Sequence, residues 1–112
     1  MALPALDVAA VRHYCEQRVP PDALSQVRIE VDVGTNTLTI VECRVPWRAD
    51  DEPQWTRSEI ARLRYVAKRS HWELYWKDSH EKWHRYDLAA PAPDVLSLLD
   101  EIDHDPTGIF WG

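Results

Sequence analysis

The first pattern along the chain is an alternation of apolar and charged residues. In residues 27–33, four β-branched side chains alternate with an arginine, a glutamate and an aspartate. A period of two is typical of a strand that buries one of its faces. Gly34-Thr35-Asn36 follows as a turn, and residues 38–45 are apolar enough to predict a second strand that is buried on both faces.

The same alternation returns over residues 60–77. Apolar residues lie mainly at odd positions up to 67 and at even positions from 72, with polar residues between them. A two-residue loop at Arg69-Ser70 predicts a hairpin in which Arg64 faces Tyr75. One face of this hairpin is then apolar and the other is polar.

A second turn at residues 78–82 leads to a short fifth strand at 83–86. Its register is ambiguous by one residue, and a slip of one residue exchanges the two faces of a strand. The favoured register places Trp83 on the apolar face beside Trp76. This register leaves His84 and Tyr86 on the polar face.

Helical spacing flanks these strands on both sides. Apolar residues at i, i+3 and i+4 predict a first helix over residues 5–18, which Pro20 and Pro21 end. A closing helix is predicted over residues 93–103, with a proline in its first turn. This order predicts one α+β domain over residues 1–112, in which an antiparallel meander sheet of about five strands carries both helices on one face.

Composition is consistent with one globular domain. Of the 112 residues 45% are apolar, and no apolar run approaches the ~20 residues that cross a bilayer. The first residues lack the basic leader of an export signal. Cys15 and Cys43 form no CxxC pair, so a reduced pair is expected rather than a disulfide. These observations predict a cytoplasmic protein without a membrane segment.

The net charge of −6 is unevenly distributed. Residues 57–86 hold eight basic and four acidic residues, whereas the remainder holds five basic and fifteen acidic ones. Bases and aromatic residues interleave from Arg62 to Tyr86, which raises single-stranded nucleic-acid binding as one hypothesis. The acidic total argues against it, because nucleic-acid-binding domains are typically basic. Nucleic acid is therefore not the expected partner.

Two parts of the sequence carry recognisable motifs. Residues 64–86 contain Trp72-x-Leu-Tyr-Trp76 and Trp83-His-Arg-Tyr86, and the chain closes on Asp105-Pro-Thr-Gly-Ile-Phe-Trp111. Together these motifs resemble a bacterial family known as domain of unknown function 3024. The resemblance implies a small stand-alone bacterial protein. It implies no activity, cofactor or catalytic residue.

The polar face of the predicted hairpin is the strongest candidate for a ligand site. In the favoured register it carries six side chains suited to binding: Arg64, His71, Glu73, Tyr75, His84 and Tyr86. Glu73 could act as a general base or orient a histidine, and Arg64 could bind a carboxylate or a phosphate. The alternative is a solvated face on which opposite charges pair across strands.

Six tryptophans are many for a chain of this length. Trp72, Trp76 and Trp83 fit the apolar face and are predicted to fill the core. Four other aromatic residues are candidate interface residues, namely Trp47, Trp55, Phe110 and Trp111. The apolar tail at 109–111 is expected to fold back on its own domain or to pack into a second copy.

The sequence lacks the usual signatures of catalysis and of metal binding. It has three glycines, and it has neither a phosphate-binding loop nor a dinucleotide fingerprint. His80 and His84 near Asp78 do not have metal-ligand spacing, so no metal and no cofactor is predicted. The leading hypothesis is a non-catalytic binding or interaction module, with a homodimer as one form. A ligand-binding protein or enzyme that uses the polar face is the alternative, followed by single-stranded nucleic-acid binding, and whether the protein is an enzyme stays open.

Overall fold

A computed structural model of the protein describes residues 3–45 and 55–112. These residues form one sheet of five antiparallel strands in sequential order, with an N-terminal and a C-terminal helix. The elements are α1 (Ala5–Arg18), β1 (Val27–Val33), β2 (Thr37–Arg44), β3 (Thr56–Val66), β4 (His71–Lys77), β5 (Trp83–Arg85) and α2 (Leu96–His104). The predicted α+β meander is confirmed.

Helix α1 has the bounds that its sequence pattern predicts. It ends because Val19 takes an extended conformation before two prolines that cannot continue the helix. Asp7, Val11 and Cys15 are spaced by four residues and form the buried stripe of the helix. The stripe packs α1 against the sheet, mainly along β1.

Helix α2 begins three residues later than predicted. The Asp94 carboxylate accepts a hydrogen bond from the Leu96 N–H at 2.9 Å, so residues 93–95 form an entry turn. Leu98 and Ile102 face the core. The helix ends at Asp105, which takes the left-handed conformation with φ 44°.

The two faces of the sheet differ in what covers them. The face toward the helices, called the helix face, buries Leu38, Ile40, Leu63, Trp72 and Leu74. The opposite face, called the open face, carries charged strand residues and no helix from the described part of the chain. Thr39 and Val41 point to the open face and are still buried, so β2 is buried on both faces as predicted. The predicted assignment of β3 and β4 positions to the two faces is confirmed.

The β3–β4 hairpin differs from the predicted pairing by a shift of two residues. Arg64 pairs with Glu73 rather than with Tyr75. The turn holds residues 67–70 because a 3₁₀ turn precedes Ser70, which is left-handed with φ 49°. A shift of two residues keeps every side chain on its predicted face.

The predicted register of β5 is wrong by one residue. Trp83 pairs with Lys77 and lies on the open face, whereas His84 and Tyr86 lie on the helix face. The cause is the turn that Asp78 closes. Its N–H donates to the carbonyl four residues later, and its carboxylate accepts two N–H groups of the same turn. Trp83 is therefore half-buried outside the core, and Tyr86 takes a core position with 2% exposure.

The apolar tail folds back on its own domain, which is one of the two expected outcomes. The Asp105 carboxylate accepts hydrogen bonds from the N–H groups of Phe110 at 3.0 Å and Trp111 at 2.7 Å. Gly108 makes the return possible with φ +71°. Phe110 is buried, and its ring lies 5.1 Å from the Tyr86 ring. Residues 105–111 thus fold back and hold the end of the chain against the core; this segment is called the closing clasp.

Candidate functional site

Four of the six side chains predicted for a ligand site lie together on the open face. Arg64 and Glu73 pair directly across β3 and β4, and His71 and Tyr75 lie on either side of Glu73 along β4. Glu73 accepts a hydrogen bond from the Tyr75 hydroxyl at 3.0 Å. It also lies 3.6 Å from His71 Nε2 and 3.4 Å from Arg85 Nη2. Groups of the same sheet therefore engage this carboxylate, whose side chain is 12% exposed.

The other two predicted site residues, His84 and Tyr86, lie away from the open face. His84 Nε2 is 2.6 Å from Asp78 Oδ2, and its ring stacks on Trp76 with centroids 4.8 Å apart. Because Asp78 is hydrogen-bonded to His84, the pKa of its carboxyl is lowered to about 2. The Tyr86 hydroxyl donates to Glu101 at 3.0 Å, and burial raises its pKa. Both residues are therefore engaged outside the open face, which leaves the predicted site with four members.

The open face also holds three residues that the sequence reasoning did not assign to a site, namely Arg62, Trp83 and Arg85. Arg62 donates a hydrogen bond to Thr39 Oγ1 at 3.0 Å. Its guanidinium carbon lies 4.3 Å from the centre of the Trp83 ring, a cation–π contact. The alternation of residues 83–86 indicates that Trp83 and Arg85 share one face of the strand. Which face of the sheet that is depends on the preceding turn, which the sequence does not reveal.

Ion pairs cover the rest of the open face. Arg57 on β3 crosses β2 and reaches β1, where it lies 2.9 Å from Glu30 and 2.8 Å from Asp32. Nearer β5, Lys77 lies 2.8 Å from Glu59. Opposite charges therefore pair between strands of the sheet, both across neighbouring strands and across the width of β2, as expected for a solvated sheet face.

The four predicted interface residues have different positions. Trp47 lies outside the described residues. Phe110 belongs to the core of its own chain, and Trp111 lies 4.3 Å from the guanidinium of an arginine of α1. Trp55 is partly exposed, and its ring lies 4.5 Å from the guanidinium carbon of Arg28 on β1. Of these four, Trp55 is the one whose position beside a sheet edge is established.

Five depressions of the described surface measure 260–370 Å³. One of them is lined by Arg57, Glu59 and Lys77 of the open face, another includes Arg64, and none of the five is lined by Glu73, Tyr75 or His84. Within residues 3–45 and 55–112, no group of three or more His, Cys, Asp and Glu side chains is placed to hold a metal ion. No helix of the same residues is long and apolar enough to cross a membrane.

Strand β1 forms one edge of the sheet. The Gly34 N–H donates to the Thr37 carbonyl, which places the even-numbered residues of β1 in the hydrogen-bonded pairs with β2. The main-chain N–H and C=O groups of the odd-numbered residues therefore point away from the sheet. These residues are Val27, Ile29, Val31 and Val33. Outside the strand ladder, no hydrogen bond of the described part of the chain reaches their main chain.

The opposite edge of the sheet is better protected. Strand β5 has only three residues. On the same side of β4, Ala92 forms a bridge with Trp72 through N···O distances of 2.7 and 3.0 Å. Short edge strands, covering segments, prolines, charged side chains and bulges are the usual protections of a sheet edge. Strand β1 has seven residues, contains no proline, and pairs with β2 without a bulge; its three charged side chains, Arg28, Glu30 and Asp32, stand on the open face rather than along the edge.

A shallow groove runs between the free edge of β1 and helix α1. One depression of about 290 Å³ is lined by Arg12, Cys15 and Glu16 of α1 and by residues 29–31 of β1. A second depression of about 370 Å³ shares Glu16 and continues to Leu24. The helix thus forms a wall beside the strand. In this arrangement an added strand contacts both the main chain of the edge and the side chains of the helix.

Comparison with known proteins identifies a family and no function. Neither a curated protein nor a solved structure matches the chain. A family model described as Domain of unknown function (DUF3024) matches residues 2–112. The match covers every element of the fold, including the β1 edge and the closing clasp. The chain therefore belongs to the DUF3024 family, as its motifs suggest.

Proposed function

We propose that this domain is a non-catalytic interaction module that binds a protein partner as an added strand along the edge of β1. One observation carries the proposal: the outward main-chain groups of β1 have no hydrogen-bond partner in residues 3–45 and 55–112. A row of unpaired N–H and C=O groups is a template for another strand. A partner strand supplies the missing hydrogen bonds, and its side chains alternate between the two faces of the sheet.

The side chains of β1 define the chemistry of that partner. On the helix face, Val33 is 49% exposed, and Ile29 borders the groove beside α1. On the open face, β1 presents one basic residue, Arg28, and two acidic residues. Cross-strand pairs of β-branched residues and of opposite charges each contribute about 0.2–1 kcal/mol. A partner strand of alternating β-branched and charged residues therefore matches both faces.

The open face supports the ligand and nucleic-acid hypotheses less well. Glu73 and Glu59 are engaged by bases of the same sheet, and a ligand would have to displace those bases. Glu73 lines none of the five depressions, and the one that includes Glu59 is open and also lined by Arg57 and Lys77, whereas ligand sites are typically enclosed and concave. Tyr86, which the favoured register placed on the polar face, is buried, and Trp83, which lies on the open face instead, is covered by the Arg62 guanidinium at 4.3 Å. These observations favour an interaction module over an enzyme.

We also propose that the domain is a cytoplasmic protein of a bacterium. Cys15 and Cys43 are free and buried, which is compatible with a reducing compartment. Fractionation of a bacterium that encodes the protein should recover it with cytoplasmic markers. Recovery with periplasmic markers would contradict this part of the proposal.

Two proline substitutions at neighbouring positions of β1 test the strand-addition proposal. Val31→Pro removes an outward N–H, whereas Asp32→Pro removes an N–H that bonds to β2. We expect Val31→Pro to remain folded, and Asp32→Pro to lose about 1–3 kcal/mol of stability, because a β2 carbonyl loses its donor and Arg57 loses the Asp32 carboxylate. Phage-displayed random dodecapeptides selected on the native domain serve as the probe. Selected peptides should bind Val31→Pro at least about tenfold more weakly than the native domain.

Amide hydrogen exchange, measured by NMR, locates the bound peptide. In the free domain the amides of Arg28 and Glu30 should exchange slowly, and those of Ile29 and Val31 should exchange rapidly. A peptide that adds to the edge slows exchange at Ile29 and Val31. Peptides that bind Val31→Pro as tightly as the native domain, or that protect open-face positions alone, would refute the proposal.

A further inference from the structure

The sequence of β1 is complementary to itself. Because odd-numbered residues point outward, a second β1 strand that runs antiparallel must pair odd positions with odd positions. In the register centred on Ile29, Val27 lies opposite the partner's Val31, and Arg28 lies opposite the partner's Glu30. The two-fold axis repeats both pairs. This register therefore places Arg28 beside the partner's Glu30 twice on the open face, where each Glu30 carboxylate also keeps Arg57 of its own chain at 2.9 Å, and it forms a continuous β-branched row on the helix face.

Neighbouring registers bring like charges together. A register centred on Glu30 places two identical carboxylates opposite each other on the axis. A register centred on Val31 pairs Glu30 with the partner's Asp32, and one centred on Arg28 pairs two arginines. Like charges directly opposite in a sheet are destabilising. Among these four registers, the one centred on Ile29 is free of like-charge pairs.

Helix α1 shows the same complementarity beside the strand. Arg12 and Glu16 both line the groove that adjoins residues 29–31, and they lie one helical turn apart with opposite charges. A two-fold axis at Ile29 brings the α1 helices of two copies to the same side of the joined sheet. Arg12 of one copy and the partner's Glu16 carry the opposite charges that a contact across this axis requires.

From these two complementarities we propose that the partner strand is β1 of a second copy of this chain, paired antiparallel and centred on Ile29. This inference rests on the proposed function, because it uses the same edge. The pairing joins two sheets into one and forms about six intermolecular main-chain hydrogen bonds. The homodimer considered in the sequence analysis then forms through the edge of β1 rather than through the apolar tail, because Phe110 is buried within its own chain.

Charge reversal tests both the dimer and its register. Arg28→Glu alone places two glutamates opposite each other at each charge pair, and Glu30→Arg alone places two arginines there. Each variant alone should dimerise at least about tenfold more weakly than the native chain in sedimentation velocity. A mixture of the two variants restores opposite charges at both pairs. It should therefore sediment as a heterodimer.

A matched control and the folded state of each variant complete the experiment. Arg69→Glu reverses the charge of an exposed residue in the β3–β4 turn, away from the β1 edge, so it should leave the dimer intact. Circular dichroism should show native secondary structure for all three variants, because Arg28, Glu30 and Arg69 are exposed. A native chain that stays monomeric at millimolar concentration, or a mixture that remains monomeric, would overturn the self-pairing. Slower amide exchange at Ile29 and Val31 on peptide binding is a separate measurement, so it tests strand addition independently of the dimer.

Discussion

The indole N–H of Trp72 donates a hydrogen bond to Asp7 Oδ2 at 3.0 Å, across 65 residues of sequence. The other oxygen of the same carboxylate accepts the Val95 N–H at 3.1 Å. One buried carboxylate therefore joins α1, β4 and the entry turn of α2. A buried acceptor of this kind stabilises the fold because both donors would otherwise lose their partners in the core.

Substitution of Asp7 by alanine should destabilise the domain by about 2–4 kcal/mol, since it leaves two buried N–H groups unsatisfied. Urea unfolding monitored by tryptophan fluorescence measures this loss. Asp22→Ala is the matched control, because Asp22 is exposed and should change stability by less than about 0.5 kcal/mol. Equal effects of the two substitutions would mean that the carboxylate does not hold the three elements together.

Removal of the closing clasp should unfold the tail rather than separate a dimer. Phe110→Ala removes a buried ring, and such substitutions cost about 3–5 kcal/mol. Asp105→Ala should also lower the thermal midpoint, because two main-chain N–H groups lose their acceptor. Light scattering should give the same mass as the native chain for any folded fraction. A change of mass without a change of stability would assign the tail to an interface instead.

The turn closed by Asp78 should lose stability in acid. Its pKa is lowered to about 2 by hydrogen bonds from His84 and from main-chain N–H groups. A lowered pKa stabilises the folded state above the unfolded pKa of 3.8, and this stabilisation is lost as the pH falls from about 4 through 2. His84→Ala should raise the pKa of Asp78, measured from its carboxyl carbon shift by NMR. An unchanged titration curve in this variant would show that His84 is not the cause.

Both cysteines should resist thiol reagents in the folded protein. Burial raises the pKa of the Cys15 thiol to about 12, and burial also raises the pKa of Cys43. Thiolates are the reactive species, so both residues should react with a disulfide reagent about as fast as the chain unfolds. Urea should release two reactive thiols per chain. Rapid labelling at neutral pH without urea would contradict the burial of at least one of them.

The faces of the sheet could be predicted from alternation, and the pairings could not. Trp72 and Leu74 lie on the helix face as expected, because side chains of a strand alternate whatever strand lies beside it. Register depends on turn geometry instead. The left-handed conformation falls on Ser70 and Glu81, which are residue types that give no sequence signal for it. The turn lengths therefore had to be seen in the structure.

For the candidate surfaces, too, the sequence predicted what depends on alternation and missed what depends on turns and strand order. Arg64 and Glu73 were placed on the same face correctly, since the alternation defines the faces of their strands, but Arg64 was expected opposite Tyr75. His84 was placed on the wrong face because strand 83–86 is too short for its pattern to decide. The free edge of β1 has no sequence signature of its own. It arises from strand order, which places β1 beside a single neighbour.

The sequential strand order has a kinetic consequence. Each strand pairs with its neighbour in sequence, so the sheet can grow hairpin by hairpin with small losses of chain entropy. The contact of Asp7 with Val95 spans 88 residues, and we expect it to form after the meander is in place. Asp7→Ala should then accelerate unfolding in stopped-flow measurements and leave the refolding rate unchanged. Slower refolding would instead mean that the two ends of the chain meet before the rate-limiting step.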